Sequence, residues 1–353
     1  MMKSFNVGIL GATGAVGQKF IRLLEDHPWF TIHSLGASSR SAGKPYHVAA
    51  QWIETVPLPE SVRNMPVLPC EPNEFDGIDF VFSGLDSSVA EEIESSFAKA
   101  GIPVISNAKN YRTHQQVPLL VPEVNPDHIE LIRHQSFHAE GKGWIVTNPN
   151  CVVVPLAMSL KPLSDAYGIE SVMVTSMQAI SGAGYPGVPS LDIMGNVIPY
   201  IGGEESKIET EPLKILGTLN RDRIDHLEFP VQATATRVPV RNGHLLSVTV
   251  GLKEKPSSES EWRSCLADWK SPLGGLGLPT APEKPLFLYE DGPYPQPLLQ
   301  ADEERGMRTA IGRIRPSNVL DISYVAMAHN TVRGAAGGAI LNAELLAAKG
   351  FLN

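Results

Sequence analysis

Cysteine and long apolar runs are both scarce in this chain of 353 residues. The three cysteines, Cys70, Cys151 and Cys265, cannot build a disulfide framework in a chain this long, so we expect a reducing, cytoplasmic environment. The densest apolar run, residues 151–158, is far too short to span a bilayer. No secretory leader precedes the first apolar run, residues 5–10, so the sequence predicts neither a membrane protein nor an exported one.

Positive charge is scarce as well. The sequence carries 29 Lys and Arg against 38 Asp and Glu, a formal net charge of −9 at pH 7. This balance argues against nucleic acid or an anionic membrane as the main partner. It is compatible with a small anionic substrate, because a few local arginines can outweigh the global charge. Repeats and low-complexity tracts are absent too, and the 42% of hydrophobic residues are typical of a globular chain.

The first 150 residues alternate short apolar runs with stretches of helical spacing. The runs predicted to be strands are residues 5–10, 31–37, 80–83, 104–106 and 144–147. Strands that alternate with helices are typical of a parallel, doubly wound sheet. The sequence therefore predicts an α/β fold class with a Rossmann-like sheet in its first part.

Beyond residue 150 the pattern changes to longer strands joined by connections rich in Pro and Gly. The predicted strands are residues 170–178, 245–253 and 319–327. Such strands predict an open mixed sheet in an α+β domain. At about 150 residues per domain, the length suits two domains. We predict a nucleotide-binding domain at 1–150, a catalytic and dimerisation domain at 151–330, and a C-terminal helix within 331–353 that packs back on the first domain.

Three glycines, Gly11, Gly14 and Gly17, lie between the first predicted strand and the first predicted helix. Gly11 permits a tight turn, Gly14 lets the backbone approach a pyrophosphate, and Gly17 allows the helix and the strand to pack closely. The spacing GxxGxxG is a variant of the GxGxxG dinucleotide fingerprint, and the helix N-terminus adds unpaired N–H groups and a positive dipole end. The predicted cofactor contacts in this loop are Gly11, Thr13, Gly14, Ala15, Val16 and Gly17.

The end of the second predicted strand indicates which dinucleotide is bound. Sites for NAD place Asp or Glu there, to bind the ribose 2′-hydroxyl. This chain instead has Ser38, Ser39, Arg40 and Ser41. Hydroxyl groups and a guanidinium suit a 2′-phosphate, which an acidic side chain would repel. The sequence therefore favours NADP over NAD.

Cys151 is the cysteine that points to catalysis. It follows Asn148-Pro149-Asn150 at the predicted first turn of a helix, where a helix N-terminus stabilises a thiolate and lowers the cysteine pKa. His244, at the start of a predicted strand, is a candidate acid or base. Cys70 and Cys265 have no such surroundings and are interpreted as buried apolar residues.

Taken in order, a set of motifs resembles the aspartate-semialdehyde dehydrogenase family over nearly the whole chain. The matching segments are GATGAVG at 11–17, ASSRSAG at 37–43, SGLDSS at 83–88, SNAKNYR at 106–112, VPLLVPEVN at 117–125, NPNC at 148–151, QAISGAG at 178–184, EESK at 204–207, residues 237–244 and NTVRGAAG at 330–337. The ASSRSAG stretch and the overall layout look more like the archaeal and fungal branch than like the commonest bacterial one.

The resemblance implies an NADP-dependent enzyme that reversibly converts 4-aspartyl phosphate to L-aspartate 4-semialdehyde through a cysteine thioester, on the route to lysine, threonine and methionine. In this family pattern Cys151 would be the nucleophile, His244 the acid/base and Gln178 the group that orients the acyl intermediate. The implied substrate contacts are Arg237 for the carboxylate, Glu204 for the ammonium, Lys207 and Arg112 for the phosphate, and Asn150 in support. The implied contacts near the nicotinamide are Ser181, Gly182 and Asn330.

Two other functions stay open on the sequence. A reductase of acyl-CoA substrates, similar to the archaeal malonyl-CoA reductases, would keep the fold and the cysteine chemistry. Its substrate has no ammonium, so Glu204 would have no purpose. A non-catalytic NADP-binding regulator would be expected to lack at least one of the residues assigned to chemistry, Cys151, Gln178, Arg237 and His244.

The expected partners are a small-molecule substrate and further copies of the same chain. A wide open sheet needs cover on its second face, and the resemblance implies a homodimer or homotetramer that forms through that sheet. His134 and His138 have the i,i+4 spacing of a helical metal pair. No third ligand is obvious, so we predict no metal site.

Overall fold

The computed structural model of the chain describes residues 4–352, so Met1–Lys3 and Asn353 of the predicted domains lie outside the described part. The strands are β1 Phe5–Leu10, β2 Phe30–Ala37, β3 Val67–Pro69, β4 Phe80–Ser83, β5 Val104–Ser106, β6 Ile145–Thr147, β7 Ile169–Gln178, β8 Thr218–Asn220, β9 Arg223–Asp225, β10 Val231–Arg237, β11 His244–Leu252, β12 Leu286–Leu288, β13 Thr309–Pro316 and β14 Ile322–Ala328. The helices are α1 Ala15–Leu24, α2 Tyr46–Ala49, α3 Glu60–Arg63, α4 Ser87–Lys99, α5 Val153–Tyr167, α6 Ser190–Ile193, α7 Glu204–Ile215, α8 Glu259–Ala267, α9 Pro297–Gln300 and α10 Gly337–Ala348.

The first six strands form one parallel sheet in the order β3-β2-β1-β4-β5-β6. On one face α1 and α10 share a hydrophobic cluster with the sheet, in which Phe20 and Ile340 pack near Ile9. On the other face Phe97 of α4 packs with Val81. Strand order reverses between β1 and β4, and the carboxyl ends of strands at such a point form a ligand crevice. The predicted doubly wound sheet is confirmed.

The second sheet is mixed, in the order β10-β7-β11-β14-β13-β12. Its pairs β10·β7 and β12·β13 are parallel, and the others are antiparallel. Helices α5, α7 and α8 cover one face of this sheet through Leu156, Ile208 and Leu266. The other face exposes Met173, Thr175, Gln232, Thr234 and Ser247. Ala301 and Tyr289 cover one end of that face, where they pack with Leu245, Ala310 and Met327, and within residues 4–352 the part formed by β7 and β10 is open, as the sequence leads us to expect of an open mixed sheet.

Element boundaries follow the sequence pattern closely in the first sheet and less closely in the second. All five strands predicted before residue 150 are confirmed to within one residue. The pattern misses β10 and β13, because the first is built from Ala and Thr with little apolar alternation and the second is interrupted by Gly312 and Arg313. Helix α5 also extends to Tyr167, beyond the predicted end near Leu160, since buried side chains hold it together across Pro162.

Candidate active site

The residues that carry chemistry meet where strands of the two sheets end. Cys151 follows β6, the last strand of the first sheet. Gln178 and Arg237 end the parallel strands β7 and β10 and lie side by side in register. Strand β11 runs antiparallel to β7, so its first residue, His244, lies at the same edge. Strand topology therefore brings together four side chains that are far apart in the sequence.

Cys151 and His244 are in direct contact. The distance from Cys151 Sγ to His244 Nε2 is 3.0 Å. The backbone N–H of Ala179 donates to His244 Nδ1 at 3.1 Å, so the proton of the neutral ring is assigned to Nε2, which faces the sulfur. Behind the cysteine, a Cβ at Gly334 would lie 2.7 Å from Cys151 Cβ, so the backbone passes too closely for a side chain. The thiol is thus fixed between the imidazole ring and the 334 backbone.

Burial favours the neutral forms of both partners. Desolvation, followed by the charge of Glu204, raises the pKa of the Cys151 thiol to about 12. Desolvation, followed by the charge of Arg237, lowers the pKa of His244 to about 3. The cations that oppose the rise at the sulfur belong to Arg112, Arg237 and Lys207.

The prediction that a helix N-terminus lowers the Cys151 pKa is wrong for this structure. Helix α5 begins at Val153, so the cysteine precedes the helix instead of occupying its first turn. A helix dipole contributes about 0.3–1 kcal/mol, which is less than the cost of burying a charge without a close partner. Charge on this sulfur therefore has to be stabilised by the neighbouring side chains.

Glu204 is the centre of a buried polar network. One of its carboxylate oxygens accepts a hydrogen bond from Lys207 Nζ at 2.6 Å, and the other accepts from Asn150 Nδ2 at 2.8 Å and Gln178 Nε2 at 3.3 Å. Desolvation acts to raise the pKa of Glu204, but these donors, with Lys207 first, hold it below its ordinary value. Because Glu204 is buried, the pair is not the solvated i,i+3 ion pair that the spacing alone would suggest.

Arg237 is a buried cation. Its Nη1 donates to the Ala179 carbonyl at 2.8 Å, and it is only 7% exposed. Among residues 4–352 it has no ion-pair partner, an arrangement that suits a site for a ligand carboxylate. A Cβ at Gly182 would lie 3.0 Å from Arg237 Nη1 and equally close to His244 Cε1, so the turn at residues 180–183 passes directly over both groups.

Arg112 reaches the site from the loop after β5. Its Nη1 donates to Glu211 Oε1 at 3.0 Å, and its Nη2 donates to the Asn107 carbonyl at 2.9 Å. The buried Nε has no hydrogen-bond partner in the described part of the chain. Together with Lys207, Arg112 provides positive charge near Cys151, as an anionic leaving group requires.

Two further residues of α7, Glu211 and Lys214, were not predicted. Glu211 Oε2 accepts the backbone N–H of Asn150 at 2.6 Å. Lys214 Nζ donates to the backbone carbonyls of Arg112, His114 and Val117 at 2.8 to 2.9 Å. Helical spacing could have indicated them, because positions 204, 207, 211 and 214 lie on one face of the helix.

The glycine loop has the geometry of a phosphate-binding turn. Gly11 has φ +74°, and a Cβ there would lie 2.8 Å from the Gly84 carbonyl oxygen. A Cβ at Gly17 would lie 2.3 Å from the Gly11 carbonyl oxygen, so helix and strand approach too closely for any other residue. Gly14 is the N-cap of α1 and provides no side-chain cap. The backbone N–H groups of Thr13, Ala15 and Val16 are therefore available to an anion.

Ser38, Ser39 and Arg40 follow β2 and are exposed, and Ser41 is half-buried. Arg40 has no ion-pair partner among the residues that the structure describes. Lys44 Nζ donates to the Arg40 carbonyl at 2.8 Å, which brings a second cation to the turn. No carboxylate lies within residues 38–44. These groups fit a 2′-phosphate and would not bind a 2′-hydroxyl in the manner of an NAD site.

Asn330 connects the segments that flank His244. Its Oδ1 accepts the backbone N–H of Gly243 at 2.9 Å, and its Nδ2 donates to Ser181 Oγ at 2.8 Å. Asn330 and Ser181, both predicted near the nicotinamide, therefore lie beside His244, which contacts Cys151. Their contact with a cofactor stays a prediction.

Metal binding and membrane insertion find no support in the described residues. Between residues 4 and 352 no group of three or more His, Cys, Asp or Glu could hold a metal ion. His134 ends a 3₁₀ turn and His138 lies beyond it, so the two do not share a helix face. No described helix is both long enough and apolar enough to cross a membrane.

Two family models match this sequence. Residues 6–132 match "Semialdehyde dehydrogenase, NAD binding domain", and residues 160–333 match "Semialdehyde dehydrogenase, dimerisation domain". Together they include all the residues described above as part of the site except the Cys151 loop, which lies between the two matches.

Named relatives are similar over nearly the full chain. Aspartate-semialdehyde dehydrogenase of Schizosaccharomyces pombe is 48% identical over 98% of this chain and 99% of its own length. The Archaeoglobus fulgidus enzyme of the same name is 48% identical over 97% of this chain and 98% of its own length. A crystal structure of aspartate semialdehyde dehydrogenase with NADP from Candida albicans superposes with a TM-score of 0.91 and 42% identity, covering 99% of this chain and 100% of that one. The chain belongs to the aspartate-semialdehyde dehydrogenase family, in agreement with the resemblance to its archaeal and fungal members.

Proposed function

We propose that this chain catalyses the reversible reaction L-aspartate 4-semialdehyde + phosphate + NADP⁺ ⇌ 4-aspartyl phosphate + NADPH + H⁺, a step in the biosynthesis of lysine, threonine and methionine. The observation that carries the proposal is the contact of 3.0 Å between Cys151 Sγ and His244 Nε2. The cations of Arg112, Arg237 and Lys207 act on the same sulfur. A thiolate is a good nucleophile toward an acyl phosphate, because phosphate is a good leaving group.

In the reductive direction the Cys151 sulfur attacks the acyl carbon of 4-aspartyl phosphate. A C–S bond forms, the bond from carbon to the phosphate oxygen breaks, and the thiol proton leaves with the phosphate as HPO₄²⁻, so the products are the thioester and inorganic phosphate. Arg112 and Lys207 stabilise the departing phosphate dianion. NADPH, when bound, supplies the hydride that reduces the thioester carbon.

His244 acts through Nε2. Because Nδ1 accepts the Ala179 N–H, the ring holds its proton on Nε2 and donates it in a hydrogen bond to the sulfur. The same N–H then stabilises the oxygen that becomes negatively charged on reduction. When the C–S bond breaks, the aldehyde leaves and the Nε2–H again faces the sulfur. In the free site the low pKa of His244, about 3, favours the neutral ring at pH 7, and after the C–S bond breaks the sulfur regains its proton from the H⁺ that the reductive direction consumes.

The substrate is zwitterionic, and the site offers both signs of charge. Arg237 pairs with the α-carboxylate through two parallel N–H donors. Glu204, an anion held by three donors, binds the ammonium group. Gln178 and Asn150 both donate to the Glu204 carboxylate. Gln178 orients the acyl group, and Asn150 helps to bind the phosphate. Binding at the far end of the substrate places the acyl carbon next to the sulfur, which lowers the barrier by positioning.

NADP is assigned to the crevice at the ends of β1 and β4. Residues 11–17 at the N-terminus of α1 would hold the pyrophosphate, and residues 38–41 would hold the 2′-phosphate. Ser181, Gly182 and Asn330 face the nicotinamide side. The relative from Candida albicans, solved with NADP at 42% identity, supports this assignment.

We further propose two domains, residues 1–150 and 151–330, with residues 331–353 returning to the first. The hydrophobic cluster on each sheet comes mainly from its own domain, which supports this division, although Leu273, Leu278 and Met307 join the first cluster and Leu119, Val121 and Val124 join the second. A second copy of the chain would cover the exposed sheet face around Thr175, as the match to a dimerisation domain suggests. We expect Thr175→Arg to convert a dimer or tetramer to smaller species in analytical ultracentrifugation, whereas Val89→Arg on exposed α4 has no effect. Unchanged assembly of the Thr175 variant would contradict this interface.

The decisive assay follows NADPH formation from aspartate semialdehyde and NADP⁺, with and without phosphate and with NAD⁺ in place of NADP⁺. We expect turnover that requires phosphate and prefers NADP⁺. Cys151→Ala should abolish turnover yet retain NADP⁺ binding. The control is Cys265→Ala, the same change at a cysteine whose thiol donates a hydrogen bond to the Pro162 carbonyl, and this variant should remain active. Faster turnover of malonyl-CoA would replace the proposed substrate. NADP⁺ binding without either activity would indicate a regulator.

A further inference from the structure

We propose that Glu211 is a positioning residue that sets two parts of the reaction centre at once, the guanidinium of Arg112 and the backbone next to Cys151. The proposal rests on the proposed function, in which Arg112 binds phosphate and Cys151 attacks the acyl carbon. Nothing in the family motifs quoted above includes Glu211. It lies two helical turns after Glu204 on the same face of α7.

The two oxygens of this carboxylate have different partners. Oε1 accepts from Arg112 Nη1 at 3.0 Å, and Oε2 accepts from the Asn150 backbone N–H at 2.6 Å. Arg112 lies in the loop after β5, and Asn150 lies after β6, immediately before the proposed nucleophile Cys151. Glu211 therefore fixes the distance between the anion-binding group and the sulfur from a helix that packs on the second sheet.

The chemistry of these partners calls for a carboxylate. Glu211 is only 6% exposed, so both donors face it in a site with little water. An amide could accept from one donor through its single oxygen, but it would turn an N–H group toward the other. A shorter acid could not reach both. Loss of the carboxylate thus leaves either the guanidinium or the Asn150 N–H without its partner.

Lys214 makes it possible to separate positioning from folding. Its Nζ binds three backbone carbonyls of the loop that carries Arg112, at 2.8 to 2.9 Å. This loop stays attached to α7 when Glu211 is changed. The expected defect is therefore a displaced guanidinium and a displaced cysteine in a folded protein.

The matched pair of variants is Glu211→Gln and Glu209→Gln. Glu209 lies on the same helix and also accepts a backbone N–H, that of Ala233 at 3.1 Å, but it has no contact with Arg112 or Asn150. We expect Glu211→Gln to raise the KM for phosphate about tenfold or more and to lower kcat, because a lost charge-assisted contact has that order of effect. The KM for NADP⁺ should stay within about twofold of the native value in both variants.

A second measurement needs no turnover. Alkylation of Cys151 by iodoacetamide, followed by mass spectrometry of the peptide that contains it, is expected to be slower in the native protein when inorganic phosphate is bound at Arg112. In Glu211→Gln the phosphate concentration that gives half protection should rise about tenfold, and in Glu209→Gln it should not change. Glu211→Asp, which keeps the charge but shortens the reach, should resemble Glu211→Gln and replaces it if that variant does not fold.

The outcomes separate this inference from the function on which it rests. Native protein without phosphate-dependent NADP⁺ reduction overturns the proposed function. Native protein that is active, together with a folded Glu211→Gln or Glu211→Asp variant whose phosphate KM and phosphate protection are unchanged, overturns the positioning role alone. A rise in the KM for NADP⁺ equal to the rise for phosphate would show a merely structural defect and would also overturn it.

Discussion

At the scale of single residues, the strongest sign of an anionic substrate is a buried guanidinium without a counter-ion. Arg237 is 7% exposed and has no ion-pair partner within residues 4–352. Burying a charge without a partner costs several kcal/mol (roughly) unless a ligand provides one. The backbone carbonyl of Ala179 satisfies only one of its five N–H donors. The rest of the fork is available to a carboxylate.

Replacing this fork by a point charge should impair recognition. We expect Arg237→Lys to lower kcat/KM for aspartate semialdehyde by about 100-fold, equivalent to about 2.8 kcal/mol, since lysine cannot form two parallel bonds. Steady-state kinetics of NADP⁺ reduction measure this loss. Arg241→Lys, in the exposed part of the same turn, serves as the control and should stay within about twofold of the native value. Equal kcat/KM values in the two variants would contradict the proposed role of Arg237 in substrate binding.

At the scale of elements, the loop between β1 and α1 shows two different uses of glycine. Gly17 is required by packing, because its Cβ would lie 2.3 Å from the Gly11 carbonyl oxygen and 2.6 Å from Ala12 Cα. Gly14 has room, since the nearest atom to its Cβ is 3.4 Å away and its φ of −79° suits any residue. Because Gly14 has no side chain, the space in front of the N-terminus of α1 stays open.

The two alanine variants should therefore fail in different ways. Gly17→Ala should lower the free energy of unfolding by about 1–3 kcal/mol, as overpacking does. Gly14→Ala should leave stability within about 0.5 kcal/mol of the native value and weaken NADP⁺ binding by tenfold or more (roughly), because a methyl group replaces the approach of the pyrophosphate. Urea unfolding and NADP⁺ titration monitored by fluorescence measure the two effects. Native NADP⁺ affinity in Gly14→Ala would place the pyrophosphate elsewhere.

Helix α7 contains site residues that the sequence motif identifies and others that it does not. The EESK motif identifies Glu204 and Lys207, and the structure shows both buried in one network. The next turn continues the same face with Glu211 and Lys214, yet neither belongs to the quoted motif. Their partners are the Arg112 guanidinium and backbone groups within residues 112–150, and helical spacing indicates the shared face but not these partners.

At the scale of the whole molecule, acid should destabilise the fold through buried histidines. Desolvation first, with smaller charge effects, lowers the pKa of His244 to about 3 and of His329 to about 4. Below the ordinary value of 6.5 the unfolded chain binds two protons that the folded chain does not, so the unfolding free energy falls as the pH falls. Desolvation raises the pKa of Glu94 from 4.5 to about 7. Between these two values Glu94 binds one proton in the folded chain that it does not bind in the unfolded chain, which opposes the effect of the histidines.

The lowered pKa values of His114, His128 and His226 act in the same direction, so the net difference is at least one proton, or about 1.4 kcal/mol per pH unit or more around pH 5.5. Urea unfolding at about pH 7 and about pH 5 measures it. In His329→Asn the slope should decrease by about 1.4 kcal/mol per pH unit, since asparagine does not titrate but can still accept the N–H groups of Thr331 and Val332. A native protein that gains stability on acidification, or a variant with the native slope, would contradict this account.

How much the sequence predicted depends on the range of the interaction. Period and spacing placed five of the six strands of the first sheet within one residue, because a doubly wound sheet is built from local apolar runs, but they missed β3, which has only three residues. They did not place β10 and β13, whose side chains are set by neighbours in the sheet. The helix-start argument for Cys151 failed for the same reason, since burial depends on what packs around the sulfur.

The sequence by itself determined the family and the fold class and provided the residues proposed to react, because these are carried by ordered motifs and by local glycine chemistry. The tertiary structure alone decided which atoms meet. Strand register places Arg237 beside Gln178, and the antiparallel pairing of β11 brings His244 to the same edge. Desolvation at that edge sets the charge of Cys151 and His244, and Glu211 joins two loops of the site. Each of these effects depends on distances between segments far apart in the chain, which no local pattern encodes.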